Sequence, residues 1–389
     1  MRGRGGAGGV FGYVAPPFMT NPQDDAFPRR CRDLAAVGGT LRASEDDFRV
    51  DEIASYEPCG EGEHTYLRFE KRGMTTPYAI SQIARVLKIQ ARDVGYAGMK
   101  DRHAVTTQTV SLPRVDPERV SAMEIPGLRV LAVTRHRNKL RTGHLRGNRF
   151  ELRVRDLPDG VAPALARALD IAEVIGRAGV PNYFGEQRFG REGDNAARAR
   201  QWLSGESAGP RDPHQRRFLV SALQSELFNA WLGARVRDGL LDAHVEGDLA
   251  ARGASGRPWL ITADDAALLY PAREASPTGP MFGRSMDRPT GEAEAREDAV
   301  LAGASLDRAF FDRIGPLAEG TRRPARVFVE DLAVTVDGDA LVFRFTLAPG
   351  AYATVVMREF GVSSPAATSV ETGSTEEHPT LRPEPTPAG

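Results

Sequence analysis

Apolar and polar residues alternate along several short stretches of the first 155 residues, which is the two-residue period of strands with one buried face. This pattern predicts strands over residues 41–53 and 64–70, and over residues 94–97 and 106–112 on either side of Asp101. A further strand is expected to begin at Arg149. The first part of the chain is therefore expected to build a sheet.

A helical period of three to four residues separates these strands. Ile80, Ile83, Ala84 and Leu87 share one face of a predicted helix that Thr76 caps, with Pro77 at its first position. Further helices are predicted over 163–178, 194–203 and 217–240, a loop-rich stretch over 266–303, and strands over 327–336 and 340–347 joined by a turn at 337–338. The return of strand signals at residue 326 predicts one α+β domain interrupted by an insertion.

Composition limits the class of protein. The 389 residues are enough for two domains, and the net charge is only −1. No apolar run approaches the roughly 20 residues of a membrane helix, and the N-terminus lacks the apolar segment of a signal peptide. Cys31 and Cys59 are too few for a disulfide framework or a zinc site, so we expect a cytoplasmic protein. Residues 1–30 and 363–389 are poor in apolar pattern and are predicted to be disordered tails.

The most informative segment is the glycine-supported turn around Asp101. This carboxylate stands between Lys100 and Arg102, and neighbouring positive charge favours its ionised form. A fixed carboxylate can act as a nucleophile, a general base or a stabiliser of a developing cation. The alternative is a solvated hairpin turn with an ordinary surface ion pair.

A second charged feature is a basic block between residues 129 and 149. It holds seven positive charges, and no acidic residue lies between Glu124 and Glu151: Arg129, Arg135, Arg137, Lys139, Arg141, Arg146 and Arg149. In a nearly neutral chain, such a block predicts one phosphate-binding surface. The alternative is a basic hairpin arm without a partner.

Lysine is rare in this chain. Of the 51 basic residues only four are lysine: Lys71, Lys88, Lys100 and Lys139. Because lysine and arginine are not interchangeable, the lysine beside Asp101 indicates a need for a compact ammonium group there.

Six segments in order resemble the TruD family of tRNA pseudouridine synthases, and the resemblance runs from about residue 41 to 360. They are DFRVDEI (47–53), YEPCGEGEHTYLRFEKRGMTT (56–76), GYAGMKDRHAVTTQ (95–108), KLRTGHLRGNRF (139–150), PNYFGEQRFG (181–190) and PGAYATVVMREF (349–360). The resemblance implies an α+β pseudouridine synthase fold, a mixed and mostly antiparallel sheet with flanking helices, interrupted by an inserted TRUD α/β domain. The catalytic domain would comprise residues 31–179 and 326–362, with the insertion at 180–325.

The same resemblance implies an activity. It is the isomerisation of uridine to pseudouridine in tRNA, at uridine 13 of the D arm, without metal or cofactor. Asp101 would be the catalytic carboxylate, with Lys100 at the substrate. Sequence leaves open whether the aspartate attacks C1′, attacks C6 or abstracts a sugar proton in a glycal route.

The resemblance also implies a uridine pocket. Phe48, Phe150 and Tyr352 would form its walls, since a base removed from the RNA stack regains energy by stacking on aromatic rings. Asn148 could offer a donor and an acceptor to the base edge, and Glu52 could orient Lys100 or Arg102. The alternatives are core packing for the aromatic rings and a turn position for Asn148.

The partner implied is tRNA, bound by a monomeric protein. The predicted phosphate-binding residues are Arg102, Arg135, Arg137, Lys139, Arg141 and Arg146. Two functions of other classes stay open. A noncatalytic RNA-binding protein or RNA chaperone would be expected to have lost the carboxylate at position 101, and an aspartate-dependent RNA hydrolase would be expected to carry a cluster of metal-binding carboxylates there.

Overall fold

A computed structural model describes residues 27–41, 43–190, 192–253 and 256–362. The predicted tails lie outside these ranges except at residues 27–30. Those four residues make defined contacts: the Phe27 ring packs edge-on against Tyr183, and the Arg30 amide donates to the Glu359 carboxylate. Ordered contacts thus begin inside the predicted tail.

One mixed sheet of nine strands dominates the fold. Seven strands come from the first half of the chain: β1 (Thr40–Leu41), β2 (Phe48–Ala54), β3 (His64–Arg72), β4 (Gly95–Tyr96), β5 (Val105–Pro113), β6 (Leu128–His136) and β7 (Leu145–Arg155). Further strands along the chain are β8 (Val180–Pro181), β9 (Leu249–Ala251), β10 (Trp259–Leu260), β11 (Ser276–Met281), β12 (Thr321–Pro324), β13 (Arg326–Val327), β14 (Glu330–Asp337) and β15 (Ala340–Leu347). Of these, β14 and β15 complete the main sheet, whose principal order is β14-β15-β7-β2-β5-β3-β6.

All pairings in the main sheet are antiparallel except that of β2 with β5. This parallel contact spans three residues of each strand. Because directly paired residues share a face, the register aligns Phe345, Phe150, Val50, Thr106 and Lys71 in one row across five strands. Aromatic and apolar side chains thus lead along the row to two polar ones.

Nine α-helices occur in the described residues. They are α1 (Thr76–Leu87), α2 (Pro117–Ser121), α3 (Val161–Ala178), α4 (Asn195–Leu203), α5 (Pro213–Arg237), α6 (Ala263–Leu269), α7 (Gly291–Gly303), α8 (Arg308–Ile314) and α9 (Ala353–Glu359). None of the described helices combines the length and apolar character that a membrane span requires.

Two apolar clusters cover one face of the main sheet. Ile80 and Ile83 of helix α1 share one cluster with side chains of β3 and β5. Ala168 and Ile171 of helix α3, which lies against β14 and β15, share the other with side chains of β2, β7 and β15. The row from Phe345 to Lys71 crosses from the second cluster to the first. The polar residues of the candidate site lie where these clusters meet.

The chain leaves this sheet after α3 and returns to it at β14. In between, β9 to β12 form a four-stranded antiparallel sheet, and α5 and α8 supply apolar side chains to a separate cluster. Strand β8 pairs with β13, so Val180 and Val327 stand opposite each other where the intervening segment begins and ends.

Three local predictions were wrong. The predicted strand over 41–53 is two strands, β1 and β2, and a single 3-10 turn at Glu45–Asp47 lies between them. The N-cap of α1 is Thr75, whose hydroxyl accepts a hydrogen bond from the Tyr78 amide, and Thr76 is the first helical residue. The predicted loop-rich stretch 266–303 contains strand β11, with all six residues buried, and helix α7. Proline and glycine in β11 conceal it, since tertiary packing overrides their low strand propensity.

Candidate active site

A buried ion pair lies between the two apolar clusters. Glu52 follows Phe48 and Val50 on the inward face of β2, and its Oε2 is 2.6 Å from Lys100 Nζ. The side chains are 3% and 5% exposed, and Glu52 Oε1 also accepts from the Thr109 amide at 3.1 Å. Of the two partners expected for Glu52, the structure selects Lys100. The Lys100 ammonium is therefore held by Glu52, not devoted to Asp101 alone.

The turn that carries Asp101 is fixed at two successive residues. The Lys100 amide donates to Thr76 Oγ1 at 2.9 Å, and this hydroxyl donates to Gln108 Oε1 at 2.8 Å. The Asp101 main-chain carbonyl accepts from Lys71 Nζ at 2.8 Å. These hydrogen bonds define the position of the turn. Asp101 itself is half-buried, so it stays accessible to a substrate.

Lys71 is the residue of this site that the sequence did not single out. Its side chain is fully buried at the end of β3, and burial lowers the pKa of its ammonium from 10.5 to about 8 despite the favourable charge of Asp101. Thirty residues separate Lys71 from Asp101, so only pairing of β3 with β5 brings them together. The available signal was its place among four lysines, in a segment matching the family.

Two of the predicted aromatic walls are core residues in this structure. Phe48 and Phe150 are 2% and 7% exposed, and their rings meet edge to face with centroids 6.4 Å apart. Phe345 stacks on Phe150 at 5.4 Å. A base could reach only the small exposed part of Phe150.

Asn148 lies beside these rings and next to the ion pair. On β7 it pairs with Glu52 of β2 on one side and Leu347 of β15 on the other. Its Oδ1 is buried and has no hydrogen-bond partner among the described residues. An unpartnered buried acceptor costs stability, so it marks a position where a ligand donor would bind favourably.

Tyr352, the third predicted wall, is grouped with the PNYFG segment. Its ring meets Phe184 at 6.3 Å, and a side chain on Gly185 would come within 3.1 Å of the tyrosine ring. Arg323 lies over the Phe184 ring, with its guanidinium carbon 4.0 Å from the ring centroid. The same guanidinium donates a hydrogen bond to the Gly350 carbonyl. The described contacts thus join Tyr352 to the intervening segment, and they do not place it against Phe48 or Phe150.

The predicted phosphate-binding residues divide into compensated and uncompensated charges. Arg137 pairs with Glu61, and Arg135 donates to the Gly62 carbonyl. Lys139 is half-buried, whereas Arg102, Arg141 and Arg146 are exposed. The absence of acidic residues along the sequence of the block is therefore partly offset by the loop before β3.

No group of three or more His, Cys, Asp or Glu side chains is arranged to hold a metal ion within the described ranges.

The chain matches known proteins over most of its length. The family model described as "tRNA pseudouridine synthase D (TruD)" matches residues 29–203 and 210–360. Proteins named tRNA pseudouridine synthase D are 47% identical in Anaeromyxobacter dehalogenans and 42% identical in Geobacter metallireducens. Each alignment covers 84% of this chain, and 94% and 95% of the respective relative. The chain therefore belongs to the TruD family.

A solved structure from Methanosarcina mazei that carries the TruD name has the same fold. It superimposes with a TM-score of 0.71 at 23% identity and covers 87% of this chain and 97% of its own. The expected α+β pseudouridine synthase fold is thereby confirmed.

Proposed function

We propose that this member of the TruD family converts uridine 13 in the D arm of tRNA to pseudouridine, with Asp101 as the catalytic carboxylate. Family membership supports the reaction class, tRNA pseudouridine synthesis, since the relatives carry that name over nearly their whole length. The position in the tRNA and the role of Asp101 are the finer parts of the proposal.

One observation carries the assignment of Asp101. A half-buried carboxylate sits on a turn whose backbone is held by a buried threonine and a buried lysine, Thr76 and Lys71. An ordinary surface turn needs no such support, whereas a reacting group has to be held in a defined geometry. The surface ion pair considered above is thus the weaker interpretation.

The reaction asks for a group of this kind. The bond between N1 and C1′ breaks, the base turns, C5 bonds to C1′, and a proton leaves C5. Atoms and electrons balance without an oxidant or a cofactor, so we propose that none is used. The carboxylate of Asp101 adds covalently to the sugar or the base, or assists as a base at the sugar, and each route requires its ionised form.

The surroundings offer contacts for an extruded uridine. The unpartnered Asn148 Oδ1 can accept from the uridine N3–H, and the same side chain can donate to a carbonyl oxygen of the base. Phe150 lies two residues after Asn148 on the same strand and is 7% exposed, so we propose that it contributes to the wall for the base. We assign Phe48 to supporting this ring and Tyr352 to the cleft wall at the PNYFG segment.

We further infer that tRNA phosphates contact the exposed guanidinium groups of Arg102, Arg141 and Arg146, with Arg135, Arg137 and Lys139 at the margin. The protein is proposed to act as a monomer in the cytoplasm, where tRNA is available. Sedimentation of the free protein and of its tRNA complex measures the first of these two statements.

The deciding experiment replaces Asp101 by asparagine. Asp101→Asn keeps the size and main chain of the turn, so the free energy of unfolding and the affinity for tRNA should change little. Pseudouridine formation, mapped by position in tRNA under single-turnover conditions, should disappear. The matched control is Asp93→Asn, which makes the same exchange at an exposed position outside the site and should retain conversion. Near wild-type conversion by Asp101→Asn would overturn the assignment and favour a noncatalytic RNA-binding role for this turn.

A further inference from the structure

Lys71 places an ammonium group in the protein interior, and the packing of the fold alone does not require a charged group there. Its Nζ donates to the Met74 carbonyl at 2.6 Å and to the Asp101 carbonyl at 2.8 Å, and the residue is 0% exposed. Lysine is seldom fully buried, because removing its charge from water is costly. In the ranges that the structure describes, Lys71 forms no ion pair with a carboxylate within 4.0 Å.

Three charged groups face this ammonium from the elements around it. Asp101 on the turn before β5 favours the charged form, Lys100 on the same turn opposes it, and Glu45 of the single turn before β2 favours it weakly. Thr106, the cross-strand neighbour of Lys71 on β5, is uncharged. Asp101 is therefore the strongest opposite charge that Lys71 meets.

Through its hydrogen bonds to the Met74 and Asp101 carbonyls, the Lys71 ammonium connects two separate segments of the chain. Met74 lies just before α1, which supplies Thr76 to the other anchor of the turn, and Asp101 lies on the turn itself. Hydrogen bonds from a charged donor are roughly twice as strong as those from a neutral donor. Loss of the Lys71 proton would weaken both bonds and remove one positive charge near Asp101.

We propose that Lys71 is a positioning residue for pseudouridine formation, whose protonated form holds the Asp101 turn in the reactive geometry. This inference rests on the proposed role of Asp101. It assigns no contact between Lys71 and the uridine. Lys71 acts through the main chain and the charge of Asp101, and deprotonation uncouples that support.

The first readout is the pH dependence of the chemical step. Burial lowers the pKa of Lys71 to about 8, so single-turnover conversion by the wild-type protein should fall as pH rises through this region. Lys71→Met should lose about 10²-fold in rate, the scale of a misplaced catalytic group, and its residual rate should lack the fall near pH 8. Binding of tRNA should stay within about twofold.

Lys71→Arg separates charge from donor geometry. The guanidinium stays protonated over the whole range, so any activity that this variant retains should show no fall near pH 8. Deprotonation of the uridine ring could also lower the rate at high pH. That effect would be present in every variant, so it cannot explain a fall near pH 8 that occurs in the wild-type protein and not in the Lys71 variants. Lys88→Met is the matched control, because Lys88 is exposed at the end of α1, and it should keep the wild-type rate and profile.

The second readout is the pH dependence of the free energy of unfolding, which should change in the opposite direction to the conversion rate. Because the pKa of Lys71 is lower in the folded protein than the ordinary 10.5, the unfolded chain binds more protons between about pH 8 and 10.5. Lys71 should therefore make the folded state more stable as pH rises through this window, relative to Lys71→Met, while conversion falls. General alkaline unfolding would lower both together.

The outcomes are distinguishable from failure of the proposed function. If Asp101→Asn is inactive but Lys71→Met keeps both the rate and the fall near pH 8, only this inference is overturned. If Lys71→Met does not fold, an unchanged fall near pH 8 in Lys71→Arg overturns it equally. If Asp101→Asn is active, the assignment of Asp101 fails first.

Discussion

At the scale of single residues, the geometry of the site depends on which charged side chains form ion pairs with each other. The sequence places Lys100 beside Asp101 and so predicts that the two act together. The structure holds the Lys100 ammonium 2.6 Å from Glu52 Oε2, in an environment where both side chains are almost fully buried. Lys100 therefore contributes to the site by joining the Asp101 turn to strand β2.

Lys100→Arg should reduce pseudouridine formation although it keeps the charge. The guanidinium is larger and planar, and a buried pair leaves it no room to reproduce the single ammonium contact with Glu52. The turn should shift, so we expect at least about a tenfold loss in single-turnover rate at saturating enzyme.

Lys88→Arg is the control for this change, because Lys88 is exposed at the end of α1 and the exchange is the same and preserves charge. It should convert tRNA at the wild-type rate. A wild-type rate for Lys100→Arg as well would show that the Glu52 pair does not position Asp101.

The sequence indicated some of the residues that the structure brings together and missed others. Asp101, Lys100 and Asn148 lie in recognisable segments, and the structure brings Lys100 and Asn148 to the same glutamate, Glu52. The sequence did not identify Lys71 as a site residue, because its contact with the Asp101 turn depends on strand register, which a single sequence does not specify. Thr76 was identified as a cap, whereas its hydroxyl in fact joins the Asp101 turn to Gln108.

At the scale of elements, periodic segments were predictable and irregular ones were not. Helix α1 and strands β3 and β15 follow clear apolar patterns, and the structure has them with shifts of a few residues at their ends. Strand β11 reads SPTGPM, a composition typical of a turn. It is a strand because β9 and β12 pair with it on both sides and α5 covers it.

The glycine at the centre of β11 shows how tightly α5 approaches. A Cβ on Gly279 would lie 2.3 Å from ring atoms of Trp231, a residue of α5. Gly279→Ala should therefore destabilise the protein by about 1–3 kcal/mol, the usual cost of overpacking a core. Urea denaturation gives the free energy of unfolding.

Gly303→Ala provides the comparison at the end of α7, where an added Cβ meets nothing within 4 Å. Alanine is the better helix former by up to about 1 kcal/mol, so this variant should be neutral or slightly more stable. Equal destabilisation of both variants would mean that the contact with Trp231 is not the cause.

At the scale of the whole molecule, the chain folds one sheet from two distant segments. Strands β14 and β15 join β7 after more than 170 intervening residues, and the β8–β13 pair brings the ends of the intervening segment together. The sequence predicts this return from the strand signals after residue 326. It does not predict the contacts of Phe184, Arg323 and Tyr352 at the junction, because each residue comes from a different segment.

Charge is also a property of the whole molecule. The net charge is −1, so attraction of RNA has to come from local charge and not from the total. The basic block is its proposed source, but Glu61 and Glu70 compensate Arg137 and Arg129. The guanidinium groups left for phosphate are those that lack such partners.

Neutralising Arg141 and Arg146 together should therefore weaken tRNA binding and flatten its salt dependence. Both side chains are exposed, and neither has an ion pair among the described residues. Each lost phosphate contact should reduce the slope of log affinity against log salt by roughly 0.7–0.9, so the double glutamine variant should lose about 1.4–1.8. Arg137→Gln is the internal control, because its charge is already compensated by Glu61 and it should change the slope less. An unchanged slope in the double variant, with the single-turnover rate intact at saturating enzyme, would mean that the block faces away from the RNA and that tRNA enters from the side of Phe184 and Arg323.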